Sequence, residues 1–218
     1  MAMTIQPPRL DTARLERDIP LAEALAMAGG DGGALEGYAF SGQQAAGLSL
    51  EGAELRGCLL TGCRLAGLRM DRIYLRDCVL KGCDLSGVHA LDAALRRCEL
   101  RDCKLSGANF TGCVLEEVRF ADCVAEQAAF AEASVRGVSF ENCRLAGAEL
   151  SAWRARGSFA FAGCDLRGAN FSRTALKGQD LTGCEIEGIA LAGGELRGAK
   201  VTALQACELA RLLGVEIV

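Results

Sequence analysis

Aromatic residues make up only 5% of this 218-residue chain, and histidine occurs once, at His89. A site that needs several imidazoles is therefore excluded, and so is a platform of rings for stacking bases. Although half of the residues are hydrophobic, no run approaches the ~20 apolar residues that a spanning helix needs. The opening, MAMTIQPPRLDTARLERD, lacks the apolar centre of a secretory signal. We therefore expect a cytoplasmic protein with no membrane segment. Charge of one sign is also missing: 28 acidic against 24 basic residues leave a net charge of −4, which argues against a generally polybasic nucleic-acid or membrane-surface protein. Without a G-x-x-x-x-G-K loop, a dinucleotide fingerprint or a nucleophile elbow, the chain carries no catalytic motif, and we expect neither an enzyme nor a cofactor.

What the chain does have is a period of five. From Phe40 to Leu150 every fifth residue is apolar, and after a one-residue slip the series resumes at Phe161 and runs to Val201. All but Ala45, Ala90 and Ala125 of these 32 positions are Leu, Phe, Met, Ile or Val, and they take seven of the eight phenylalanines. Two residues earlier lies a small-residue register with eleven of the twelve cysteines, and two residues later a register with 19 of the 27 glycines. Neither 3.6 nor 2.0 divides five, so an ordinary helix or flat strand cannot keep this pattern on one face. The chain must turn a corner every five residues, where glycine suits the turn. Four corners close a coil of about twenty residues with the large and small registers pointing inward.

Stretches such as CDLSG, CKLSGANFTG and CDLRGANFS resemble the pentapeptide repeat family over residues 37–201. The resemblance implies an all-β solenoid, a right-handed quadrilateral β-helix of about eight coils. At ~4.8 Å per coil the rod is then ~40 Å long. Cys63, Cys83, Cys103, Cys123, Cys143, Cys164 and Cys184 would form a ladder up one inner face. Parallel rungs do not converge on an ion, and their spacing is not C-x2-C, so they read as small core residues with no metal or disulfide role.

Residues 1–36 stand outside the repeat. Pro20 can open a short helix with Leu21, Ala24, Leu25 and Ala28 on one face, ending at Gly29-Gly30 and covering the first coil. A partner-binding arm is the other reading of this net −3 segment. Residues 202–218 begin with a capping box, Thr202 to Gln205, and continue with Ala206, Leu209, Ala210 and Leu213 as an apolar stripe before Gly214. A terminal cap and a symmetric dimer contact both fit this helix.

The segment LQACELARLLGVEIV is similar to the C-terminal segment of the Qnr-type and MfpA-like pentapeptide repeat proteins. That resemblance implies an end-to-end homodimer through Ala206, Leu209, Ala210 and Leu213. It also implies a DNA-like rod that binds DNA gyrase or topoisomerase IV and protects it from quinolones or other poisons. Large loops, which interrupt many Qnr-type rods, are absent; the only irregularity is the slip within 151–160, beside Trp153.

DNA mimicry calls for acidic outer faces, yet residues 37–201 hold 20 acidic and 20 basic residues. One face, with Glu51, Asp71, Asp92, Glu132 and Glu149, is net −2 and is the expected partner-binding face. Another carries a basic column, Arg56, Arg76, Arg96, Arg136, Lys177 and Arg197, interrupted by Glu116. Such a column is an alternative rail for a polyanion, but with Glu54, Asp77, Glu117 and Glu195 nearby we expect a solvated, internally paired face without direct nucleic-acid binding. A scaffolding rod for another protein is the remaining alternative.

Overall fold

The computed structural model describes residues 4–17, 19–27, 33–45, 48–212 and 214–216. After helix α1 (Leu21–Met27), three-residue strands come in pairs, two to a coil: β1 (Ala34–Glu36), β2 (Ala39–Ser41), β3 (Glu54–Arg56), β4 (Leu59–Thr61), β5 (Tyr74–Arg76) and β6 (Val79–Lys81). In mid-rod each pair merges across its corner into one strand, β7 (Ala94–Arg101), β8 (Val114–Ala121) and β9 (Ser134–Glu141). Strands β10 (Arg154–Ala155), β11 (Phe159–Ala162) and helix α2 (Ala203–Leu212) complete the order.

All pairing is parallel and, apart from pairs that span the slip and the bridge from Glu16 to Tyr38, joins residues twenty apart, as in Leu35 to Leu55 to Leu75 to Leu95. A second ladder runs through Leu60, Leu80, Leu100 and Phe120. Two more consist of single bridges, one through Arg64, Asp84 and Lys104, the other through Arg69, His89 and Asn109. Four ladders at a twenty-residue repeat make a four-faced coil; we number the faces one to four in the order just given. The strand ladder from β1 to β10 takes six steps, so the strand-paired solenoid has about six turns rather than the eight coils expected. Beyond Phe161 the coil keeps its pitch through isolated bridges such as Asp165 to Glu185 and Asp180 to Lys200, because turns there replace extended residues.

The corners explain the glycine register. Every non-glycine residue with positive φ among those described, from Arg72 to Arg173, occupies that same register. Ala152 sits there at φ 55°, a conformation that costs a residue with a Cβ ~1–2 kcal/mol. Replacing it with glycine, after allowing for the greater freedom of the unfolded chain, is expected to stabilise the rod by about 0.5–1 kcal/mol. Thermal unfolding followed by circular dichroism should show a midpoint about 2 °C higher.

Inside, the large register stacks on itself. Phe120 and Phe140 lie parallel at 4.5 Å on the second face, and Phe110 and Phe130 at 5.3 Å on the fourth. Phe120 meets Phe130 edge-on across the interior at 5.8 Å. Every large-register residue from Phe40 to Leu150 is buried. The inner cysteines are buried too, and they do more than fill space. Cys63, Cys83, Cys103, Cys123 and Cys143 each direct Sγ at the carbonyl oxygen 23 residues back, at 3.4–3.6 Å. The thiol is a weak donor, used here on carbonyls that already sit in the ladder. Burial pushes the Cys113 thiol up to about 12, so it stays protonated and unreactive at neutral pH.

The slip falls late in its window. Arg154 and Ala155 still pair with Ser134 and Val135, and the Arg156 N–H still reaches the Val135 carbonyl at 2.9 Å. Phe159 then pairs with Val138, and the N–H groups of Gly137 and Val138 both converge on the Ser158 carbonyl. The extra residue is thus a bulge at the corner after Arg156. In this coil the large and small positions exchange: Ala155 is exposed, and Trp153, two residues earlier, fills the interior.

Both ends are covered. At the first coil, Leu21, Ala24 and Leu25 of α1 are buried, and Glu16 adds a parallel bridge to Tyr38. Ala28 and Gly29-Gly30 lie outside the described residues. Upstream, the chain runs back along the outside of the rod: the Arg9 N–H donates to Asp77 at 3.0 Å and the Gln6 N–H to Glu117 at 2.8 Å. At the other end Thr202 and Gln205 form the reciprocal capping box, and Gln205 turns its amide into the last coil.

Candidate binding faces of the solenoid

The five acidic residues do share the fourth face and its corner, but they do not form a continuous acidic strip. Glu51 pairs with Arg72 at 2.6 Å, and Arg69 lies between Glu51 and Asp71. Glu149 accepts from the Asn170 amide, at 2.9 and 3.0 Å, and from the Ser151 N–H at 3.2 Å. Asp92 and Glu132 are exposed and take part in no ion pair among the described residues. Sequence periodicity could not show this, because Arg72 and Asn170 reach their partners from a neighbouring coil, 21 residues away in the chain.

On the first face the basic column is longer than the sequence suggested. Because the bulge follows Arg156, that residue fills the rung between Arg136 and Lys177, and Arg154 stands beside it. The two halves of the column differ. Toward the N-terminus Arg56 pairs with Glu54 at 2.7 Å, Arg76 with Asp77 at 3.5 Å and Arg96 with Glu116 at 3.4 Å. Arg97 forks onto both oxygens of Asp77 at 2.6 and 2.7 Å. Although burial works in the opposite direction, this guanidinium and the Arg9 N–H keep the Asp77 carboxyl below the usual carboxylate range.

Toward the C-terminus the pairing stops. Glu116 also takes Arg136, but Arg154, Arg156, Lys177 and Arg197 are exposed and meet no carboxylate within ion-pair distance among the described residues. The guanidinium of Arg154 instead donates to the Glu132 carbonyl at 2.9 Å. Glu195, on the same face, is turned aside to accept from the N–H groups of Arg173 and Ala192. A depression of about 560 Å³ opens among Arg96, Arg136, Arg154 and Arg156. A second, of about 930 Å³, lies where Ala155 and Ala175 leave space beside Lys177, Asp180 and Lys200.

Helix α2 divides the expected apolar stripe. Leu209 is buried on its own rod, Ala210 is half-buried, Ala206 is exposed, and Leu213 lies outside the described residues. The large apolar groups that this end presents to solvent are instead Leu204, Leu212 and Val215, the first 73% exposed. His89 projects from the fourth face between Arg69 and Asn109.

A parallel, four-faced solenoid capped at both ends, with unlike charge on different faces, is the architecture of a repeat rod. Models of the pentapeptide repeat region match residues 53–130 and 93–158, and a model of eight pentapeptide repeats matches 161–199. The chain belongs to the pentapeptide repeat family. No curated protein sequence matches it. Among solved structures it is similar to a trypsin-treated variant of QnrB1, a plasmid-mediated fluoroquinolone resistance protein. The identity is 24%, the match covers 86% of this chain and 91% of that one, and the TM-score is 0.48. It is also similar to HetL, involved in heterocyst differentiation regulation in the cyanobacterium Nostoc sp. strain PCC 7120, at 20% identity over 84% of this chain and 95% of that one, TM-score 0.35. No helix among the described residues is long and apolar enough to cross a membrane.

Proposed function

We propose that this chain is a cytoplasmic, non-enzymatic binding protein that associates with DNA gyrase or topoisomerase IV and shields it from a poisoning antibiotic. It would act as a homodimer joined end to end through α2. The observation that carries this reading is the C-terminal segment. Its sequence, LQACELARLLGVEIV, is similar to the corresponding segment of the Qnr-type and MfpA-like proteins. Its helix caps the last coil with Gln205 and Leu209 while turning Leu204 and Leu212 outward. A cap alone has no use for exposed leucines, whereas a two-fold contact does. In such a dimer Leu204, Leu212 and Ala206 make the joint, and Leu209 supports it from beneath. Asp92 and Glu132, free of ion pairs among the described residues, are the carboxylates of the acidic face best able to meet a cationic enzyme surface.

The test is supercoiling by purified gyrase with increasing protein, with and without a fluoroquinolone, alongside a variant carrying Leu204→Glu and Leu212→Glu. Sedimentation velocity of both forms reports the oligomeric state. Rescue or direct inhibition by the native protein, and neither by a monomeric variant, is the expected result. Gyrase that is indifferent under every condition would refute the topoisomerase reading and leave a scaffolding rod.

A further inference from the structure

The charge on the first face changes character part-way along the rod, close to where Gln6 of the N-terminal arm is anchored. Four rungs in succession carry a cation, Arg136, Arg156, Lys177 and Arg197, with Arg154 alongside. Glu116 engages the first of them and Glu195 is held by backbone N–H groups. Five cations against two carboxylates leave this half strongly basic in a chain whose net charge is −4. In the other half each arginine of the column has a carboxylate partner, and the arm is laid across it, anchored at Asp77 and at Glu117. Of the two anchored residues, Gln6 lies beside Glu116, Glu117 and Arg136, at the boundary with the unpaired stretch.

We propose that the unpaired stretch binds the phosphate backbone of duplex DNA. This goes beyond the enzyme contact argued above and uses a different face. A row of cations at ~4.8 Å intervals is linear and does not converge, so it suits a repeating anion better than a compact one. Duplex DNA offers a negative charge about every 1.7 Å of axis, so a straight row finds phosphates in any register and reads no sequence. Arginine's planar fork is matched to phosphate oxygens. The stretch also has no exposed aromatic side chain. Tyr74, the one ring on the outside of this face, lies in the paired half beneath the Arg96 guanidinium, 5.9 Å from its centre. Without a stacking surface the row favours a duplex over a single strand.

The full chain is tested by fluorescence anisotropy with a short fluorescein-labelled duplex. With four phosphates neutralised, affinity should fall as salt rises with a log–log slope of about −3.6, a loss of about 150-fold between 50 and 200 mM. The variant Arg154→Gln, Arg156→Gln, Lys177→Gln should reduce the slope to about −0.9, with an unchanged circular dichroism melt. The variant Arg56→Gln, Arg76→Gln, in the paired half, should bind as the native chain does. No anisotropy change at 50 mM salt, equal weakening by the two variants, or tighter binding of the single strand would each overturn the proposal.

Discussion

Replacing Trp153 with alanine is expected to destabilise the protein by about 3–5 kcal/mol, the range for emptying a buried aromatic site. Trp153 is 6% exposed and occupies an inner position held by Ala53, Ile73, Ala93, Cys113 and Ala133 on the coils before it and by Thr174 on the next. It can do so because its coil has exchanged large for small, with Ala155 turned outward. Its ring stacks at 6.1 Å on Phe161 and meets Phe159 edge-on at 5.4 Å, and Nε1–H donates to the Phe130 carbonyl at 2.7 Å. No neighbour can collapse into the space, since the aromatic stack continues through Phe140 and Phe171 on fixed rungs. For a chain of this length the loss corresponds to a midpoint lower by about 6–20 °C. Trp153→Phe retains most of the packing but removes the donor, and should cost about 1–2 kcal/mol. A Trp153→Ala midpoint within 2 °C of the native value would show that the interchange of sizes is not what holds this coil.

The second large effect lies at the end of the rod. Gln205 is buried, and its amide does three things at once: Nε2 donates to the carbonyls of Leu181 and Cys184, both at 2.8 Å, and Oε1 accepts from the Thr202 N–H at 2.8 Å. The Gln205 N–H donates to the Thr202 hydroxyl. Gln205→Ala therefore removes half of the capping box and leaves two carbonyls of the last coil without their donor. The expected cost is about 2–4 kcal/mol, felt locally, because each coil of a solenoid leans only on its neighbours. Hydrogen exchange should show lost protection in residues 176–201 and unchanged protection in β7 to β9. Emission from the single tryptophan should stay blue-shifted while that end frays. Uniform loss of protection along the chain would contradict a local role. Gln205→Glu should fail to restore the native pattern, since a carboxylate cannot donate to either carbonyl.

The four-faced coil could be read from the sequence because its cause is local and repeated: a large residue every fifth position, a small one before it, a glycine after it. The inner ladder of cysteines followed from the same counting. Features that depend on a side chain reaching another coil were not legible. The pairing of Arg72 with Glu51, and of Arg97 with Asp77, is decided by rotamers at positions twenty or so residues apart, and a count of charges per face registers only their sum. The slip could be confined to ten residues but not placed within them, because the hydrophobic series is silent between Leu150 and Phe161; only backbone pairing shows that Arg156 belongs to the basic column. The helical stripe at the C-terminus divided for a related reason. An apolar stripe on a short helix does not say which members face the parent rod, and here Leu209 does while Ala206 does not.

The arm across the outside of the rod also imposes an order of assembly. Coils can add one upon another as the chain emerges during synthesis, each needing only the coil before it. Gln6 is different, since its acceptor on Glu117 lies 111 residues further along. The chain must have been made as far as Glu117 before Gln6 can be fastened down. Until then Gln6 waits unfastened, and its fastening marks the moment at which four coils are complete and the fifth has begun.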